Sequence, residues 1–242
     1  MTAVFVHGVP ETSRIWDPLR RSIDRHSIAL ALPGFGNERP DGFGATKDEY
    51  ADWLAESLRE LGGPIDVVGH DWGALLTLRV ATAYDVPLRS WAVDVADIFH
   101  PDFVWHETAQ IWQTPGAGEE RMRALHEEAG FAARLEGVGV PSALAEAIAA
   151  EHDEAMSRCI LDLYRSAAPN VAADWGAAAE RPTVAPGLVL LLPDPPEVEA
   201  RSLDTARRLG ARTARLDADH CWMAEAPEAS AAVLNRFWSS LA

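Results

Sequence analysis

The stretch that most constrains the fold is Asp66–Leu76, where a β-branched run passes directly into a helical pattern of apolar residues. Between the two lies Gly69-His70-Asp71-Trp72-Gly73. Small residues on both sides of an acidic one predict a sharp strand-to-helix turn, because the backbones approach too closely there for larger side chains. Such a turn lifts one side chain, here Asp71, above the end of a parallel sheet.

The residue type at the top of this turn limits the chemistry. An aspartate that attacked an acyl group would give a labile anhydride, whereas attack on a saturated carbon gives an ester that water can later cleave. Asp71 therefore favours displacement at epoxides or alkyl halides over the acyl transfer that a serine would perform. The structural alternative is an aspartate that only caps the following helix.

Short, β-rich apolar runs alternate with helix-length segments over most of the chain. This alternation predicts an α/β fold with a mostly parallel sheet of about six strands. The predicted strands are Val4–Val6, Ile28–Leu32, Ile65–Val68, Trp91–Val95, Leu188–Leu192 and Arg212–Leu216. Ligands of such sheets bind at the carboxyl ends of the strands, so the turns there are the candidate functional segments.

The alternation stops between residues 98 and 186. This region is rich in Ala, Glu, Arg and Trp and has helical periodicity, with one long helix predicted over Ala143–Cys159. The strand pattern resumes at residue 187. We therefore expect a core over 1–97 and 187–242, with residues 98–186 forming a helical lid over the strand ends.

Composition argues against several classes of partner. The 242 residues carry a formal net charge of −16, so neither nucleic acid nor an anionic membrane is an expected partner. No apolar stretch is long enough to span a bilayer, and the first residues do not resemble a signal peptide. The two cysteines, Cys159 and Cys221, give no disulfide framework, which predicts a reducing, cytoplasmic location. No metal-ligand spacing and no Gly-rich phosphate loop appears, so no cofactor is expected.

Four motifs resemble the α/β-hydrolase fold and, within it, the branch of epoxide hydrolases and haloalkane dehalogenases. In chain order they are His7-Gly8-Val9-Pro10-Glu11, Leu32-Pro33-Gly34-Phe35-Gly36, Gly69-His70-Asp71-Trp72-Gly73 and Asp219-His220-Cys221-Trp222. The resemblance covers nearly the whole chain and is weakest over the lid. Family members usually have two further strands before the His-Gly strand, so one sheet edge is expected to need a covering helix or a homodimer.

The resemblance implies a role for three side chains at the strand ends. Asp71 would be the nucleophile, and His220 would be the base that activates water against the Asp71 ester. An acid would orient His220 and stabilise its imidazolium. Asp194, after the fifth strand, is the first choice for this acid, and Asp97, after the fourth, is the alternative.

Val9 and Trp72 bear on the choice between the two branches. Their backbone N–H groups would form the oxyanion hole. Many haloalkane dehalogenases carry Asn where Val9 stands, and bind halide with it and with the indole N–H of the tryptophan after the nucleophile. This chain keeps the tryptophan and lacks the asparagine, which favours the epoxide hydrolases.

An epoxide also needs an acid for its leaving oxygen, and the epoxide hydrolases use lid tyrosines. Tyr164, which is followed by Arg165, matches the second of these tyrosines. The first is missing, and His106 or Thr108 lies near its place. The residues predicted to line an aromatic substrate pocket are Trp105, Trp112 and Phe35.

The expected activity is hydrolysis of an apolar epoxide to a diol through an ester on Asp71. A haloalkane or haloacid dehalogenase with the same Asp71 and His220 is the alternative. A binding protein of this fold without activity is the second alternative, because the first lid tyrosine is absent.

Overall fold

The computed structural model describes residues 1–127 and 130–241. In this part of the chain, six strands form one parallel sheet in the order β2-β1-β3-β4-β5-β6, which confirms the predicted fold class. The strands are β1 Thr2–Val6, β2 Ser27–Leu30, β3 Ile65–Gly69, β4 Leu88–Val93, β5 Gly187–Leu191 and β6 Arg212–Arg215.

Helices follow most of the strands and fill the region between β4 and β5. They are α1 Asp17–Ser22, α2 Lys47–Leu61, α3 Trp72–Ala83, α4 Glu107–Gln113, α5 Ala117–Glu127, α6 Gly130–Glu136, α7 Ser142–Ala149, α8 Glu154–Ser166, α9 Ala172–Trp175, α10 Pro196–Leu209, α11 Trp222–Glu225 and α12 Pro227–Ser239. Short 3-10 segments lie at Ser13–Trp16, Ala96–Phe99 and Gly176–Glu180.

The sheet buries apolar side chains on both faces. Along β1, Val4 and Val6 join a cluster that includes residues of α2, α3 and α8, whereas Ala3 and Phe5 join one that includes residues of α1 and α12. Burial on both faces is expected for a parallel sheet whose crossover connections are helical.

Among its described residues, the segment predicted as a lid contains helices and connecting loops but no strand. The single helix predicted over Ala143–Cys159 is wrong, because α7 ends at Ala149 and α8 begins at Glu154. The Asp153 carboxylate accepts the Met156 N–H at 2.7 Å and starts a new helix at this point. No helix in the described part of the chain combines the length and the apolar character needed to cross a membrane.

His7 connects the loop after β1 to the loop after β2. Its Nδ1 donates to the Gly8 carbonyl at 2.7 Å, and its Nε2 accepts the Leu32 N–H at 3.0 Å. One neutral tautomer satisfies both bonds. Burial lowers the pKa of His7 to about 4. The neutral ring therefore holds in place the loop that carries Val9.

We expect the free energy of unfolding to decrease as the pH falls from about 6.5 towards 4, because the unfolded chain binds a proton at His7 that the folded chain excludes. A pKa lowered this far corresponds to about 3 kcal/mol over the whole range. Urea unfolding at a series of pH values should give a shallower slope for His7→Gln than for wild type. The exposed His26→Gln is the control, and an unaltered slope in His7→Gln would contradict this account.

Candidate active site

Asp71 occupies a sharp turn between β3 and α3. Its φ of 49° and ψ of −119° are rarely adopted by residues with a side chain. A Cβ on Gly69 would lie 2.2 Å from the Gly73 carbonyl oxygen, and a Cβ on Gly73 would lie 2.1 Å from that of Val6. The close backbone approach therefore requires both glycines. The Asp71 side chain makes no capping bond to α3, which disfavours the capping alternative.

The two carboxylate oxygens of Asp71 face different partners. The Val9 N–H donates to Oδ1 at 2.9 Å, and His220 Nε2 lies 4.0 Å from Oδ2. Burial raises the pKa of Asp71, while His220 and His70 oppose this rise. One oxygen thus sits against a backbone donor, and the other is directed towards the imidazole predicted to act as base.

A cavity of about 210 Å³ borders Asp71 and is lined by residues of the core and of the segment predicted as a lid. The core contributes Val9, Asp71, Asp97 and His220 to its wall, and the lid contributes Trp105, His106, Arg134 and Tyr164. The cavity therefore brings the predicted nucleophile and the predicted base together with proton donors and a cation from the predicted lid.

Tyr164 lies on α8 and is almost completely buried. Its ring centroid is 5.2 Å from that of Trp72, 5.3 Å from that of Trp105 and 4.9 Å from that of Trp112. Burial and the charge of Asp71 raise the pKa of Tyr164 well above its usual value. The phenol therefore stays protonated and is available as a hydrogen-bond donor.

Of the two residues near the place of the missing tyrosine, His106 lines the cavity and Thr108 does not. His106 Nδ1 accepts the Ala109 N–H at 3.2 Å at the start of α4, so the neutral ring carries its proton on Nε2. The residue is largely exposed at the cavity wall, but partial desolvation of its ring lowers the pKa of His106. The His106 N–H is thus a second proton donor in the cavity wall, in addition to the Tyr164 O–H.

Neither predicted orienting acid is hydrogen-bonded to His220. Asp194 is exposed and lies outside the cavity wall. Asp97 lines the cavity but contacts Arg201 at 3.4 Å, and burial raises the pKa of Asp97 to about 6. The choice between Asp194 and Asp97 stays a prediction.

The carboxylate that contacts Asp71 from the end of β4 is Asp94, the residue after this strand, which the sequence analysis missed. It is fully buried, and its Oδ1 accepts the Asp71 N–H at 3.0 Å. Its Oδ2 accepts from His70 Nδ1 at 2.5 Å and from Trp222 Nε1 at 2.7 Å. Asp94 therefore ties the turn at Asp71 to the segment that follows His220.

His70 is buried between two carboxylates. Besides its bond to Asp94, its Nε2 donates to Glu11 Oε1 at 3.1 Å. Burial disfavours a charge on His70, but Asp94 and Glu11 outweigh it and hold the pKa of His70 well above its usual value. Its ring centroid lies 4.6 Å from that of His220. Glu11 and His70 both stand in strand-end motifs, and the adjacency of β1 and β3 is the signal that could have paired them.

Two of the predicted pocket residues lie outside the cavity wall. Phe35 packs in the core, with its ring 5.7 Å from that of His7 and 6.1 Å from that of Tyr50. Trp112 is fully buried against the Tyr164 ring. Trp105 does line the cavity.

One group of side chains has the proximity that a metal site would need. Ligand atoms of Glu11, His70 and Cys221 lie within 4.8 Å of one another. Both nitrogens of His70 are engaged by carboxylates, however, so the imidazolium has no lone pair for a cation. These residues fit a hydrogen-bonded ionic network better than a metal centre.

The fold and the strand-end site define a hydrolase of the α/β type, and the comparisons agree. The model of the alpha/beta hydrolase family matches residues 3–233, and the chain belongs to that family.

Solved structures of low identity share the fold. A candidate epoxide hydrolase from Pseudomonas aeruginosa is 21% identical, with a TM-score of 0.82 over 99% of this chain and 89% of that one. A haloalkane dehalogenase from Bradyrhizobium elkani is 23% identical, with a TM-score of 0.76 over 99% of this chain and 90% of that one.

A curated relative matches over a shorter region. The (E)-2-((N-methylformamido)methylene)succinate hydrolase of Acinetobacter baylyi is 31% identical over 93 residues. This match covers 37% of the present chain and 35% of that enzyme, about a third of its length.

Replacing His70 should destabilise the fold strongly. His70→Gln leaves Glu11 and Asp94 buried without their counter-charge, a change that typically costs about 3–5 kcal/mol. Trp222→Phe, which removes one neutral donor to Asp94, serves as a comparison and should cost about 1–3 kcal/mol. Urea unfolding at neutral pH measures both. A loss in His70→Gln no larger than that in Trp222→Phe would contradict a charged His70.

Proposed function

We propose that the protein hydrolyses epoxides to diols through a covalent ester on Asp71. The observation that carries the proposal is that the two oxygens of the Asp71 carboxylate have different partners. Oδ1 accepts the Val9 N–H, and Oδ2 faces His220. A serine-type acyl transfer would not use such an arrangement, because the carboxylate itself is the group at the top of the turn.

In the first step, Asp71 Oδ2 attacks an epoxide carbon and the carbon–oxygen bond of the ring breaks. The ring oxygen takes a proton from Tyr164, with His106 Nε2–H as the second donor. The charge of Asp71 contributes to the raised pKa of Tyr164, second only to burial. Ester formation removes this charge, so the Tyr164 proton becomes easier to transfer when it is needed. Solvent then restores the phenol.

In the second step, His220 takes a proton from water, and the resulting hydroxide attacks the Asp71 carbonyl carbon. Oδ1, which has become the carbonyl oxygen, takes up the negative charge against the Val9 N–H. The Trp72 N–H is the first of α3 and has no partner inside the helix, so it can serve as the second donor. The ester bond breaks, and the departing alkoxide takes the proton from His220. The Asp71 carboxyl group then releases to solvent the proton that the hydroxide brought, which balances the proton that restored Tyr164.

Asp194 remains our proposal for the acid that orients His220, with Asp97 as the alternative. Burial and the charge of Asp94 raise the pKa of Asp194, and the charge of His220 opposes this rise. Asp194 and His220 therefore attract each other electrostatically.

A haloalkane dehalogenase is the second candidate, and one observation favours it. The Trp72 indole N–H is buried and has no hydrogen-bond partner in the described residues. Trp72 follows Asp71 in the chain and its ring packs against that of Tyr164, so we propose that a departing halide accepts this N–H. The same Asp71 and His220 would form and cleave the ester. Halide release from haloalkanes, without diol formation from epoxides, would select this candidate.

His220→Gln should accumulate the covalent intermediate, because the ester forms without the base but is hydrolysed slowly. After incubation with styrene oxide, mass spectrometry should find the adduct on the peptide that contains Gly69–Gly73. Asp71→Asn is the control and should give no adduct. Absence of an adduct with styrene oxide, with an epoxide that carries a carboxylate and with haloalkanes would contradict Asp71 as the nucleophile.

Tyr164→Phe should lower kcat/KM for an epoxide by about 10²–10⁴-fold, because the leaving oxygen loses its main proton donor. His106→Gln should give a smaller decrease, since Tyr164 remains. If the enzyme also releases halide from haloalkanes, that activity should be largely spared, because halide needs no proton. Equal losses on both substrates would argue against Tyr164 as the acid.

A further inference from the structure

The lid contributes a cation to the cavity. Arg134, from α6, lines the cavity with Tyr164 and His106 and is partly buried. Its guanidinium carbon lies 5.4 Å from the centre of the Trp112 ring. Burial and the charge of Asp71 raise the pKa of Tyr164, and the charge of Arg134 opposes this rise. Burial lowers the pKa of His106, Asp71 opposes this, and the charge of Arg134 lowers it further. The guanidinium therefore acts on the space where the reaction is proposed to occur.

The other charged groups of the cavity have partners within the protein. Glu11 accepts from His70 at 3.1 Å, and Asp97 contacts Arg201. Asp71 has the Val9 N–H and His220. In contrast, among the side chains that the structure describes, those of residues 1–126 and 130–241, no carboxylate forms an ion pair with Arg134.

Packing on Trp112 does not by itself explain a cation at this wall. A cation–π contact contributes about 0.5–1 kcal/mol at an exposed site, and an uncharged side chain could cover the indole equally well. Keeping an unpaired charge beside an apolar wall carries a desolvation cost, which a ligand of opposite charge would offset. An anionic substrate, moreover, would be repelled by Asp71 unless a cation held its charged group.

We propose that Arg134 binds a carboxylate of the substrate, so that the enzyme acts on epoxides that carry an acid group, such as glycidates. A guanidinium binds a carboxylate through two parallel N–H donors, which fixes the orientation as well as the charge. This proposal rests on the proposed function and names its substrate class. It also replaces the purely apolar substrate that the sequence predicts.

A binding experiment tests the site without requiring turnover. Isothermal titration calorimetry compares phenylacetate with phenylacetamide, which has the same shape and no charge. Wild type should bind the carboxylate at least about 10-fold more tightly, the value of a charge-assisted hydrogen bond. Arg134→Gln should bind the two equally, and Arg134→Lys should keep part of the preference.

Arg123→Gln is the matched control, because it removes the same charge from an exposed position of the lid on α5. It should retain the wild-type preference. Equal affinities in wild type, no measurable binding of phenylacetate, or a preference that persists in Arg134→Gln would each overturn the proposal. Circular dichroism and thermal unfolding establish that the variants are folded.

Turnover separates this proposal from the proposed function. The ratio of kcat/KM for 3-phenylglycidate to that for its amide should exceed one in wild type and fall towards one in Arg134→Gln. A carboxylate preference in binding that depends on Arg134, together with no epoxide opening and no adduct in His220→Gln, would support the Arg134 site and reject the epoxide reaction. Epoxide opening without any preference for the acid would support the epoxide reaction and reject the Arg134 site.

Discussion

The site depends on one buried interaction, the pair of charge-assisted hydrogen bonds that His70 makes to Glu11 and Asp94. Both ring nitrogens donate to carboxylates, so a positive charge is fixed beneath the turn that carries Asp71. Asp94 in turn accepts the Asp71 N–H and the Trp222 indole N–H. Because breaking a buried ion pair is costly, this network holds three strand ends and the segment after His220 in one arrangement.

Strand register explains why these residues meet. Val6 pairs with Gly69 on the neighbouring strand, and Gly69 pairs with Val93 on the next. The residues that follow, among them His70 and Asp94, therefore emerge side by side at the carboxyl edge of the sheet. This edge is where the fold class places ligands, and here it carries the buried charges together with Asp71, the proposed nucleophile.

The sequence was sufficient for the features that depend on local patterns. Strand–helix alternation gave the parallel sheet, and the glycines around Asp71 predicted its sharp turn. It did not reveal Asp94, because the predicted strand Trp91–Val95 contains this residue, whereas β4 ends at Val93 and leaves Asp94 at the strand end. Nor could it choose His106 over Thr108 or place Arg134 in the cavity, since lid packing depends on contacts between helices that are distant in sequence.

In the proposed mechanism, the core supplies the nucleophile and the base, while the lid supplies proton donors and a cation. A single turnover in ¹⁸O-labelled water tests the central claim, an ester on Asp71, most directly. With enzyme in excess over the epoxide, the diol should be unlabelled and the label should appear in the peptide that contains Asp71, because water attacks the Asp71 carbonyl carbon. Label in the diol and none in Asp71 would mean that water attacks the epoxide directly, and would contradict the account.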